Sequence, residues 1–207
     1  MKLLQRKIDS ILKEWKKNEN RLPLIVKGAR QVGKTASILQ FAHSNYKNVV
    51  AINFVLQPKY KAIFEEGYEV DDIIRNLTLI DPSLKIEPTN TLIFFDEMQD
   101  CPACATSLKA FKIDGRYDVI CSGSLMGINY QEIESNSVGY KEDYTMHSMD
   151  FEEFLWAKGY DSSFINSLYD KMTTVTPLTR IEMDILEKIF REYMTIGGMP
   201  AVVNQFV

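Results

Sequence analysis

One segment limits what this chain can become more than any other: Gly28-Ala29-Arg30-Gln31-Val32-Gly33-Lys34-Thr35, in which two glycines flank four residues and are followed by lysine and threonine. Glycines accept backbone angles that other residues resist, so successive N–H groups in such a loop can converge on one anion. The preceding run, RLPLIVKG (21–28), is short, apolar and closed by glycine, which predicts a buried strand. The following run, TASILQFAHSNY, predicts a helix starting near Thr35, with its positive N-terminal end facing the same anion. A chance glycine turn would lack this strand before and helix after. The context predicts a phosphate cradle made by Gly28, Ala29, Arg30, Gln31, Val32, Gly33, Lys34, Thr35 and Ala36. In that cradle Lys34 reaches the β- and γ-phosphates of a nucleotide, and the Thr35 hydroxyl is a ligand for Mg²⁺.

A second segment completes the chemistry. TLIFFDEMQD (91–100) reads as an apolar strand that ends in acid. Open parallel sheets bind ligands at the carboxyl ends of their strands, where Asp96 would sit and associate with the metal. Glu97 follows as the general base that polarises a water for attack on the γ-phosphate. A third strand, YDVICSGS (117–124), ends in small polar residues, and Ser122 or Ser124 is placed to contact the γ-phosphate or the water; Ser124 is the one taken as catalytic. Such residues are also ordinary turn formers. Arg30 reads either as a phosphate contact or as a solvated side chain. Arg180 and Arg191 read as nucleotide-sensing arginines or, more simply, as exposed helix residues, and a neighbouring subunit could supply an arginine instead.

Around these motifs strands and helices alternate. Leu3, Leu4, Ile8, Ile11, Leu12 and Trp15 recur at helical steps, NVVAINFVL (48–56) reads as a strand and VDDIIRNLTLI (70–80) as a helix. CATSLKAFKI reads as another helix, YKEDYTMHSM (140–149) as a fifth strand, and DFEEFLWAKG (150–159) as a short helix with Asp150 as N-cap. The alternation predicts an α/β fold: a parallel sheet with helices on both faces. Beyond Gly159 the pattern is helical only. The expected division is an ATPase core with its N-terminal helix over residues 1–159, and a small helical region over 160–207 that begins a lid or further domain. GGMPAVVNQFV breaks off as a new amphipathic segment starts after Pro200, so the chain reads as a fragment of a longer protein.

Composition removes several alternatives. The 207 residues are 45% hydrophobic, enough for a sizeable core without staples. A net charge of -4 and a pI near 5.3 carry no global nucleic-acid signature, and no dense basic-aromatic stretch supplies a local one. No apolar run is long enough to cross a membrane, and the charged N-terminus lacks a signal-peptide block, so the expected setting is cytoplasmic. Three cysteines make an odd count. The CPAC motif (Cys101, Cys104) invites zinc or redox chemistry, but Cys121, His43 and His147 stand at no ligand spacing from it, so it reads as a structural turn.

With these elements together, the chain resembles the prokaryotic P-loop ATPases of the AAA+ superfamily in which an archaeal-type ATPase core precedes a C-terminal domain of unknown function. The resemblance rests on GARQVGKT, LIFFDEMQDCPACATSLKAFK, VICSGSLMGI, VGYKEDYTMHSMDFEEFLWA and YMTIGGMPAVV, in that order. It implies ATP binding and hydrolysis on a five-stranded core, with Lys34, Thr35, Asp96 and Glu97 at the functional positions and the family's C-terminal domain lying beyond this chain. One departure is Tyr140, where the family usually has a basic residue after the glycine of VG. The leading expectation is an ATPase that couples hydrolysis to conformational change on an unknown protein partner, with oligomer formation left open. The alternative is a nucleotide-gated protein or nucleic-acid interaction module with little turnover. A small-molecule kinase is disfavoured, because no arginine-rich lid is present and Glu97 beside Asp96 suits water as the acceptor.

Overall fold

The computed structural model describes residues 3–124 and 139–207. Five strands form one parallel sheet: β1 (Leu24–Lys27), β2 (Asn48–Asn53), β3 (Thr91–Asp96), β4 (Asp118–Gly123) and β5 (Glu142–Thr145), in spatial order β2-β3-β4-β1-β5. The α/β reading is therefore met. Side chains alternate across the sheet, as the period of two requires. Ile25, Val50, Ile52, Ile93, Phe95, Val119 and Cys121 join the core on one face, under α3 (Val70–Ile80) and α4 (Ala103–Asp114). Leu24, Val26, Leu92, Phe94 and Ile120 join the core on the other, under α1 (Lys7–Lys17) and α2 (Lys34–Asn45). β3 lies between two strands and beneath helices on both faces, so all six of its residues are buried. That is why its sequence reads as a continuous apolar run.

Three boundaries differ from the sequence expectation. α1 starts at Lys7, not Leu3: Arg6 is extended, and its amide donates to Asp9 Oδ2 at 2.9 Å. Leu3 is exposed and Leu4 packs against the C-terminal helices. β3 stops at Asp96, because Glu97 turns left-handed (φ 55°) and Met98–Asp100 form a 3₁₀ turn. β5 covers only Glu142–Thr145 of the run expected over 140–149. Between β2 and α3, Pro58–Phe64 form a 3₁₀ helix whose Tyr60, Ile63 and Phe64 enter the core.

Four further helices follow β5: α5 (Phe151–Ala157), α6 (Ser162–Thr173), α7 (Arg180–Ile196) and α8 (Pro200–Phe206). Asp150 caps α5 as expected, its Oδ1 accepting the Glu153 amide at 2.9 Å. Met149, Phe154, Leu155, Ile165, Ile189 and Val203 form the core of this group. The GGMP turn joins α7 to α8 and packs on the β5–α5 connection. Gly197 (φ 75°) ends α7, and Pro200 opens α8 where its missing N–H costs nothing. Between them Gly198 passes so close to the β5–α5 connection that a Cβ on it would lie 2.1 Å from the Met149 carbonyl oxygen. The Met149 amide donates to the Gly198 carbonyl at 2.7 Å. Gly198→Ala is therefore expected to force these backbones apart and lower stability by about 1–3 kcal/mol, read as a shifted urea midpoint. An unchanged midpoint would show that the contact can relax freely.

Candidate functional site

The loop between β1 and α2 departs from ordinary backbone where the motif demands it. Gln31 (φ 65°) and Gly33 (φ 100°) are left-handed, and Gly33 immediately precedes α2. Gly28 is required for close approach, since a Cβ there would lie 2.2 Å from the Met146 carbonyl oxygen, where the chain leaves β5. The loop is thus pinned between β1 and β5, with Ala29, Arg30 and Gln31 exposed and Val32 buried. Thr35 and Ala36 in the first turn of α2 are also exposed.

Lys34 is buried, and its ammonium donates to the carbonyls of Gly28 at 2.9 Å and Ala29 at 2.8 Å. Burial pushes its pKa down; Glu97 and then Asp96 pull against that, and Arg30 adds a smaller downward push.

Asp96 is the hub. It is buried at the end of β3, where its Oδ2 accepts from Thr35 Oγ1 at 3.0 Å and from Asn53 Nδ2 at 3.0 Å, and its Oδ1 accepts from the Ser122 hydroxyl. Three neighbouring strand ends (β2, β3, β4) and the start of α2 therefore meet at one carboxylate. The sequence places Thr35, Asp96 and Ser122 at this edge. It does not single out Asn53, whose contact depends on β2 lying beside β3 with Asn53 opposite Asp96.

Glu97 is half-buried, and its Oε2 accepts from Gln99 Nε2 at 2.5 Å. Of the two serines, Ser122 points its hydroxyl at Asp96, while Ser124 contributes its backbone amide, which donates to Gln99 Oε1 at 3.2 Å. Arg180 and Arg191 lie exposed on α7, Arg191 paired with Glu187 one turn away. Tyr140 is partly buried with the Lys109 ammonium 5.1 Å from its ring centroid.

Arg6 is a site neighbour that sequence reasoning missed. It is only 5% exposed, donates to the Val32 carbonyl at 2.6 Å and the His147 carbonyl at 2.7 Å, and pairs with Glu153 at 3.1 Å. One guanidinium thereby joins the loop, the exit of β5 and α5. The cysteines took an arrangement that spacing did not reveal: Cys104 and Cys121 have their sulfurs 3.8 Å apart, and all three cysteines are free and buried. Burial raises the thiol pKa of Cys101 and Cys104, which makes them poor nucleophiles. Among the described residues no group of three or more His, Cys, Asp or Glu side chains could hold a metal, and no helix is long and apolar enough to cross a membrane.

This geometry can be set beside known proteins. A family model described as an AAA domain matches residues 20–155. A Haemophilus influenzae protein bearing only the name "Uncharacterized protein" is 21% identical over 179 residues, covering 86% of this chain and 40% of that relative. The chain thus spans less than half the length of the curated relative it matches. Among solved structures, a chain of Drosophila ORC bound to DNA is similar with a TM-score of 0.52 and 12% identity, covering 95% of this chain and 57% of that one. Pif1 helicase from Candida albicans shows a weaker likeness, with a TM-score of 0.48 and 12% identity over 77% of this chain and 44% of that one. With the family model covering more than half of the sequence, from before β1 into α5, the chain belongs to the AAA domain family and has an AAA+-like P-loop ATPase core.

Proposed function

We propose that the chain binds ATP with Mg²⁺ at the carboxyl edge of the sheet and hydrolyses it to ADP and phosphate. The observation that carries this reading is the Thr35–Asp96 contact at 3.0 Å, with Lys34 directly before Thr35 in the loop and Glu97 directly after Asp96 at the strand end. It brings a hydroxyl and a carboxylate together beside a loop whose amides suit phosphate. Oxygen donors of this kind fit Mg²⁺, which takes one or two protein ligands and completes its shell with phosphate oxygens and water. Asp96 and Thr35 would hold the ion, whose chemistry when bound is to neutralise phosphate charge. Lys34 would exchange its two carbonyl partners for phosphate oxygens, and Glu97 would accept the proton of the attacking water. Asn53 and Ser122 hold the Asp96 carboxylate in place for this task.

Residues 160–207 would serve as the moving part, acting on a protein partner. Arg6 supplies the physical link, because it bonds both the loop and the helix on which this group packs. The test is direct. The 207-residue chain is titrated with ATP in the presence and absence of Mg²⁺, and phosphate release is followed. Mg²⁺-dependent release supports hydrolysis; tight binding without release would instead make this a nucleotide-gated binding module.

A further inference from the structure

One polar side chain beside the site remains unused by this scheme. Gln99 lies in the 3₁₀ turn that follows the left-handed Glu97, and the reversal brings the two side chains together. Its Nε2 donates to Glu97 Oε2 at 2.5 Å and to Asp100 Oδ2 at 3.2 Å, and its Oε1 accepts from the Ser124 amide at 3.2 Å. These partners define the orientation of the amide: flipped, its oxygen would face two carboxylates and its NH₂ would face a backbone donor. β4 makes room for the group. A Cβ on Gly123 would lie 2.8 Å from Gln99 Oε1 and 3.2 Å from Met98 Cγ.

We propose that Gln99 is the positioning residue for Glu97, tying its carboxylate to the main chain at the end of β4. This rests on the reading of Glu97 as the base. A glutamate at a strand end has several free torsions, and a base displaced by about 1 Å from its water loses much of its effect. Gln99 removes that freedom by bridging Glu97 to the main chain directly after β4. The end of β4 then touches both acids of the Asp96-Glu97 pair, through the Ser122 side chain on one and through Ser124 and Gln99 on the other. Whatever ligand group engages this strand end bears on the base at the same time.

The test compares Gln99→Leu, Gln99→Glu and Gly123→Ala with the parent chain. Gln99→Leu is expected to lower kcat by about 10- to 100-fold while leaving the nucleotide Kd within about twofold. Gln99→Glu, equal in length but facing Glu97 with like charge, should lose more. Gly123→Ala keeps Gln99 but occupies its place, so it should reproduce the loss, and the Gly123→Ala/Gln99→Leu double variant should be no slower than the worse single variant. A parental kcat in Gln99→Leu, with Glu97→Gln inactive, overturns the role of Gln99 and leaves the base standing. If the parent releases no phosphate, or Glu97→Gln keeps the parental rate, it is the hydrolytic reading that falls. The tie is then decided by hydrogen exchange at the Ser124 amide, expected about tenfold faster in Gln99→Leu, and equal exchange rejects it.

Discussion

Glu97→Gln is expected to bind ATP as the parent does and to release phosphate about 10²- to 10⁴-fold more slowly, the contribution of a well-placed general base. The amide keeps the size of the carboxylate and one oxygen for Gln99 to bond, but it cannot take a proton from water. Lys34→Ala should fail differently. Removing an ammonium that now sits buried against the carbonyls of Gly28 and Ala29 takes away a phosphate partner, so binding itself should weaken. Measuring Kd by equilibrium titration and kcat by phosphate release separates the two. A Glu97→Gln chain that turns over at the parental rate would remove Glu97 from the chemistry.

The second large effect concerns stability and lies away from the motifs. Arg6→Met should destabilise the chain by about 3–5 kcal/mol, because it leaves the 5%-exposed Glu153 carboxylate without its cation and orphans the Val32 and His147 carbonyls. That is a large share of the roughly 5–15 kcal/mol by which domains of this size are stable. Urea unfolding measures it. The Arg6→Met/Glu153→Leu pair should recover part of the loss, since no unpaired charge stays buried. Arg6 Nη1 also lies 3.3 Å from where a Gly33 Cβ would be, at the start of α2, so Arg6→Met should weaken nucleotide binding as well. Stability within about 1 kcal/mol of the parent would show that water can replace the guanidinium.

The two ends of the site were legible for different reasons. The glycine loop is readable because its backbone demands glycine at fixed offsets, and Gly28 and Gly33 meet those demands in the fold. The strand of Asp96 is readable because both faces of β3 are covered, leaving an unbroken apolar run up to the acid. Asn53, Gln99 and Arg6 were not readable. Asn53 reaches Asp96 only through strand order, Gln99 reaches Glu97 only through a left-handed residue and a 3₁₀ turn, and Arg6 reaches Glu153 across 147 positions of chain. The same holds for Cys104 and Cys121, whose sulfurs meet because α4 packs on β4.

By itself, then, the sequence determined which local segments form: a phosphate loop between a strand and a helix, a buried strand ending in Asp96-Glu97, and the alternation that makes a parallel sheet. Local backbone preference and hydrophobic period act over a few residues, and they leave their mark there. The tertiary structure alone decided which polar groups stand beside those acids. Side-chain partnerships across strand ends and between layers depend on strand order, register and packing, which no short stretch of sequence encodes.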